Sequence, residues 1–72
     1  MNRDETIKLL DFISGAYPGK FPVNVNVLNV WSKAFADQDF QSVMWRAEKF
    51  AAGNDRPPAI SNLVIKHYPV IG

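Results

Sequence analysis

Residues 24–35 read Asn-Val-Asn-Val-Leu-Asn-Val-Trp-Ser-Lys-Ala-Phe, and the way this stretch folds decides the fold class of the chain. Its first half alternates valine with asparagine, which is the period of two typical of a strand. Over the longer window its apolar residues recur at helical spacing, with Trp31 near the centre of the stripe. No second strand pattern exists to pair with it. We therefore predict a helix over residues 25–36, capped by Asn24 or Asn26.

The segment before this stretch predicts another helix, over residues 3–16, whose apolar side chains cover more than half of its circumference. Asn2 and Glu5 have the spacing of a capping box at its start. Pro18 should end it at about Tyr17, because proline cannot continue a helix. A helix that is apolar on so many sides packs between other helices.

The segment after it predicts two more helices. Residues 39–52 carry a clean apolar face, with Asp37 or Asp39 as the cap and Gly53 following the helix. Pro58 suits the first turn of a short helix over residues 58–66. The members of the apolar face in the third helix are Phe40, Val43, Met44, Ala47, Phe50 and Ala51. The expected fold is all-α, a compact bundle of four short helices at about 3–16, 25–36, 39–52 and 58–66.

With 72 residues, the chain has room for one domain. We expect a helical N-terminal domain at residues 1–67, and at 68–72 the start of a flexible tail that is truncated here. The absence of cysteine excludes disulfides and suits a reducing compartment. A net charge of +1 gives no argument for nucleic acid or an anionic membrane. No apolar run approaches the roughly 18 residues of a membrane span, and no signal peptide is visible, so we expect a cytoplasmic protein.

Residues suited to catalysis are scarce. His67 is the only histidine, and no serine or cysteine nucleophile arrangement lies near it in the sequence. The acidic residues are dispersed through caps and solvated faces, and the glycines form no phosphate-binding pattern. We therefore predict no catalytic, cofactor-binding or metal-ligating residue, and a protein that is not an enzyme.

The two tryptophans differ in their place on their helices. Trp31 lies in the middle of its apolar stripe, which indicates a core anchor. Trp45 lies roughly 160° from the apolar face of the third helix, where solvated residues are expected. Either the fourth helix or the tail covers it, or it is an exposed aromatic that contacts a partner or another copy. Under the second hypothesis, Trp45, Arg46 and Lys49 form a partner-binding surface.

The order and spacing of these features over nearly the whole chain resemble the N-terminal domain of the phage-encoded loader and inhibitor of the replicative DNA helicase. The residues that carry the resemblance are Leu9-Leu10, Tyr17-Pro18, Phe21, the helix centred on Trp31, the acidic cap before Phe40, and Pro57-Pro58-Ala59-Ile60.

The resemblance implies a non-enzymatic protein that holds a hexameric replicative helicase inactive and brings it to a phage origin through an origin-binding protein. It also implies that the helicase contact belongs mainly to a flexible C-terminal segment, which would begin near Gly72, so we assign no helicase-binding residue here. The helical domain would dock the origin-binding protein or pair with a second copy as a homodimer.

Two other classes of function remain open. The second and third predicted helices, joined by a turn at residues 36–39, have the order of a helix-turn-helix DNA-binding module. Arg46 and Lys49 stand against Asp39 and Glu48 on its recognition helix, which is a poor electrostatic footprint for phosphate, so we do not expect direct contact with nucleic acid. The other alternative is a structural or assembly adaptor domain.

Overall fold

Four helices make up the fold. The computed structural model describes residues 1–64, and within them it contains no strand. The helices are α1 (Arg3–Ala16), α2 (Val25–Ala34), α3 (Phe40–Gly53) and α4 (Ile60–Leu63). The stretch around Trp31 is therefore helical, and the prediction of an all-α bundle of four short helices is confirmed.

The three long helices begin at side chains that cap free backbone donors. The Asn2 side-chain oxygen accepts a 2.8 Å hydrogen bond from the N–H of Glu5, whose carboxylate accepts a 3.0 Å bond from the N–H of Asn2. The Asn24 side chain accepts a 2.9 Å bond from the N–H of Val27, and Asp39 caps α3. First-turn N–H groups have no partner within the helix, so these bonds fix where each helix starts. The predicted capping box is confirmed, and Asn24 and Asp39 are the caps.

A tight turn ends α1. The N–H of Lys20 donates a 3.0 Å hydrogen bond to the carbonyl of Tyr17, which closes a four-residue turn. Pro18 is its second residue, and Gly19 is its third, with φ at 75°. This is the sequence order of a type II turn, in which the positive φ of the third residue favours glycine. The prediction that Pro18 ends the first helix near Tyr17 is confirmed.

The bounds of α2 and α3 differ slightly from the predicted ones. α2 ends at Ala34, two residues early, because Phe35 takes the C-cap position with φ at −106° and ψ at 10°. α3 is displaced by one residue, since Asp39 is its extended N-cap and Gly53 still belongs to the helix. Differences of this size are ordinary at helix ends.

α4 starts two residues later than predicted. The helix begins at Ile60 and not at Pro58, because Ala59 is extended, with φ at −87° and ψ at 165°, and occupies the cap position. The N–H of Ala59 donates a 2.8 Å hydrogen bond to the side chain of Asn62, which fixes that start. Pro58 is buried ahead of the helix.

The end of α4 also comes earlier than predicted. Val64 is extended, with φ at −69° and ψ at 127°, so the helix stops at Leu63 after a single turn. Residues 65 and 66 of the predicted helix lie outside the described residues, as do His67 and the predicted tail at 68–72.

The core forms around α1, which packs against both α2 and α3, while α4 packs against α3. This confirms that the first helix lies between others. The buried apolar side chains are Leu9, Leu10, Ile13, Tyr17, Trp31, Phe35, Val43, Ala47 and Leu63. Each large member contributes about 1.5–3 kcal/mol relative to an exposed position. A short helix such as α4 is held mainly by such contacts, here through Leu63.

Trp31 is the centre of an aromatic cluster. Its ring lies 5.6 Å from that of Phe21 in an edge-to-face arrangement, and 5.4 Å from that of Phe35 in a stacked one. Both geometries are favourable for aromatic pairs. Trp31 is only 7% exposed, so the prediction that it anchors the core is confirmed.

Polar contacts also join distant parts of the chain. The hydroxyl of Tyr17 donates a 2.8 Å hydrogen bond to the carbonyl of Asn54, which connects the end of α1 to the end of α3. The ammonium group of Met1 donates hydrogen bonds to the carbonyls of Phe35, at 3.1 Å, and Gln38, at 2.6 Å. A positive charge is favourable there, because the carbonyls at a helix end carry partial negative charge.

Candidate protein-contact surface

The first turn of α3 sets the register of the outer surface of that helix. The Asp39 carboxylate accepts a 3.0 Å hydrogen bond from the N–H of Ser42 and a 2.8 Å bond from its hydroxyl. These bonds, the backbone one foremost, hold the pKa of Asp39 below its ordinary value. The carboxylate therefore stays charged at the positive end of the helix.

Trp45 lies on the side of α3 that faces away from the core. Val43 and Ala47 are buried, and each is two residues from Trp45, about 200° around the helix. Trp45 is consequently 59% exposed. α4 does not cover it, so that explanation of its position is wrong, and the alternative in which the tail covers it lies outside the described residues.

The three residues of the predicted surface are all exposed on α3, and Lys49 lies over the indole ring of Trp45. The Lys49 ammonium lies 5.5 Å from the ring centroid of Trp45, in a cation–π contact one helical turn along. Arg46 is exposed, and with Trp45 it borders a shallow hollow of about 430 Å³ that reaches Asp39. We call Trp45, Arg46 and Lys49 the α3 surface. Glu48 is also exposed beside it, so its charge is mixed.

The α3 surface offers the chemistry of binding. Tryptophan and arginine are the residue types most enriched where binding energy concentrates in protein interfaces. Among the residues that the structure describes, no three His, Cys, Asp or Glu side chains form a group that could hold a metal ion. Within the same part of the chain, no helix has the length and apolar character of a bilayer span.

A second surface was not predicted from the sequence. It is an apolar groove of about 440 Å³ between α1 and the start of α2, which we call the α1–α2 groove. Its lining residues are Ile7, Leu10, Asp11, Ser14, Val23, Asn24, Val25 and Leu28. Three large apolar members are exposed, namely Ile7 at 45%, Val23 at 46% and Val25 at 67%. The alternating valines were the available signal, but only the packed helices place them beside Ile7.

Comparison with known families gives one result for this chain. A family model for the N-terminal domain of the phage helicase loader and inhibitor matches residues 1–64. The match spans all four helices, and therefore the α3 surface and the α1–α2 groove. Comparisons with curated proteins and with solved structures gave no match.

Proposed function

The chain belongs to the family of N-terminal domains of the phage helicase loader and inhibitor, and we propose from this membership that it is a non-enzymatic accessory protein of DNA replication. It binds a hexameric replicative helicase, inhibits it and helps to load it at a phage origin, in the cytoplasm of the bacterial host. The family match over residues 1–64 is the observation that carries this proposal.

In this proposal, the residues that contact the helicase lie outside the helical domain. The helicase is bound by a segment that follows the helical domain. The helical domain is the scaffold, and its α3 surface docks the origin-binding protein or a second copy of the chain. The exposed indole of Trp45, beside two cationic side chains, supports this role.

The proposal assigns no direct DNA contact to the helical domain. Arg46 and Lys49 share the exposed side of α3 with Glu48, which leaves little net positive charge for phosphate. α2 and α3 also make their main helix contacts with α1, whereas a helix-turn-helix packs its two helices on each other. Binding to duplex DNA that weakens with added salt would favour the rival DNA-binding function.

Capture of the replicative helicase tests the proposed function. We would immobilise two forms of the protein, residues 1–72 and a form that carries the family's C-terminal segment, and measure the helicase retained on each. The longer form should retain the helicase and slow its unwinding of a forked duplex. The 72-residue form should do neither, because the proposal places the helicase contact in the family's C-terminal segment.

One control variant and two contrary outcomes make the result decisive. The longer form with Trp45→Ala should retain the helicase as well as the unchanged longer form does, since the α3 surface serves a different partner. Retention of helicase by neither form would refute the proposed function. Equal retention by both forms would place the helicase contact in the helical domain and contradict the division proposed here.

A further inference from the structure

The α3 surface carries a protruding side chain, and the α1–α2 groove is a hollow large enough to receive one. Trp45 is a large apolar side chain that stands out from α3 with 59% of its surface exposed. The groove is a hollow of about 440 Å³, within the range of about 300–1,000 Å³ typical of pockets that enclose a small organic molecule. An indole ring is a molecule of that class.

One pair of opposite charges, Lys49 beside the indole and Asp11 in the groove, also favours a contact between the two surfaces. Asp11 is the charged residue among the described residues that line the groove. Lys49 lies over the ring of Trp45, so its charge accompanies the indole into any contact. Arg46 borders the same hollow as Trp45, and the acidic Asp39, at the N-cap of α3, and Glu48, on the helix, lie nearby. A carboxylate at an apolar pocket favours a partner that presents an apolar side chain flanked by positive charge.

The two surfaces share no residue and no helix. The α3 surface lies on α3, whereas the groove is formed by α1, α2 and the residues just before α2. Since Trp45 is exposed, it does not occupy the groove of its own molecule. Every copy of the chain therefore carries both a knob and an open groove.

We propose that Trp45 of one copy inserts into the α1–α2 groove of a second copy, where Arg46 and Lys49 face Asp11 of that copy. The inference rests on the proposed role of the α3 surface as a protein-contact site, and it identifies a second copy of the chain as the partner of that site. The proposed arrangement is head-to-tail: each copy places its Trp45 in one neighbour and receives the Trp45 of another, so the contact repeats as a ring or an open chain. One side chain in one groove makes a small interface, so the association is weak in dilute solution.

Single substitutions on each side test the contact. Sedimentation equilibrium of the 72-residue chain up to about 1 mM should show a mass that rises with concentration. Trp45→Ala removes the knob, and Val25→Lys places a cation in the groove, so each variant should weaken association by about tenfold or more. Val30→Lys is the matched control, because Val30 is 57% exposed on the same helix but outside the groove. It should associate as the unchanged chain does.

Mixing the two variants tests the head-to-tail geometry. Trp45→Ala keeps an intact groove and Val25→Lys keeps an intact knob, so an equimolar mixture should form a one-to-one complex that neither variant forms alone. An unchanged chain that stays monomeric would refute the inference, as would a loss with Val30→Lys equal to that with Val25→Lys. A mixture that stays monomeric would show a symmetric contact and overturn the head-to-tail geometry.

The outcome is independent of the helicase experiment. Helicase capture depends on the C-terminal segment and is measured in dilute solution, whereas self-association depends on the two surfaces of the helical domain. A monomeric chain whose longer form retains the helicase would refute this inference alone. A self-associating chain whose longer form fails to retain the helicase would refute the proposed function alone.

Discussion

Trp31 and Trp45 are residues of the same type, but the first is buried and the second is exposed. Trp31 is 7% exposed and lies between two aromatic rings, while Trp45 is 59% exposed and its ring is in contact with a lysine ammonium. The helical period accounts for both, because Trp31 lies on the buried stripe of α2 and Trp45 lies opposite that of α3. Core packing therefore explains why a tryptophan stands at position 31, whereas it does not explain the tryptophan at position 45.

Truncation of Trp31 should have the largest effect on stability. Trp31→Ala removes the centre of the aromatic cluster and should lower the free energy of unfolding by about 3–5 kcal/mol. A domain of this size has little more than that in total, so the variant should be largely unfolded at room temperature. Urea denaturation followed by circular dichroism measures the effect.

Truncation of Trp45 is the matched comparison. Trp45→Ala should change the free energy of unfolding by no more than about 0.5 kcal/mol, because the side chain is mostly exposed. It should weaken the complex with the origin-binding protein or with a second copy. A stability loss comparable to that of Trp31→Ala would instead make Trp45 a core residue, and the contrast between the two residues would disappear.

Removal of the Tyr17 hydroxyl should have an intermediate effect. Tyr17→Phe keeps the buried ring but leaves the Asn54 carbonyl without its 2.8 Å hydrogen bond, which should cost about 0.5–1.5 kcal/mol. Thermal denaturation measures the loss. Since the contact joins the ends of α1 and α3 and involves no residue of the α3 surface, any binding by that surface should be unchanged. A variant as stable as the unchanged chain would show that this bond contributes nothing.

The smallest effect concerns the charge at the start of α3. The folded-state pKa of Asp39 is lowered by its bonds to Ser42, so its contribution to stability is complete above the ordinary pKa of aspartate. It is lost as the pH falls through the lowered folded-state value. Asp39→Asn keeps the cap without the charge. The melting temperatures of the two proteins should differ at neutral pH and converge as the pH falls below the lowered pKa of Asp39; parallel curves would contradict the assignment.

Most of the fold could be predicted from residues that are close together in the sequence. The caps at Asn2, Asn24 and Asp39 and the turn at Pro18 depend on residues three or four positions apart, so the sequence contains all the information that they need. The start of α4 was missed because Pro58 suits a first helical turn by itself. Its burial against the rest of the domain, with Ala59 extended, moved the start to Ile60.

The two candidate contact surfaces also differ in how far the sequence could predict them. The α3 surface was predictable, because one helix carries all of its members and the helical period places them opposite the core. The α1–α2 groove was not, because it joins Ile7 to Val23 and Val25 across the turn that ends α1. Only the packing of α2 against α1 determines that these side chains share one hollow.

The unequal burial of the two tryptophans also makes the chain its own spectroscopic probe. The indole of Trp31 should emit at shorter wavelength than that of Trp45 and resist aqueous quenchers until the domain unfolds. The emission of Trp45 should instead respond to whatever covers the outer side of α3. Variants with a single tryptophan would therefore separate folding from docking in one fluorescence experiment, without any attached dye.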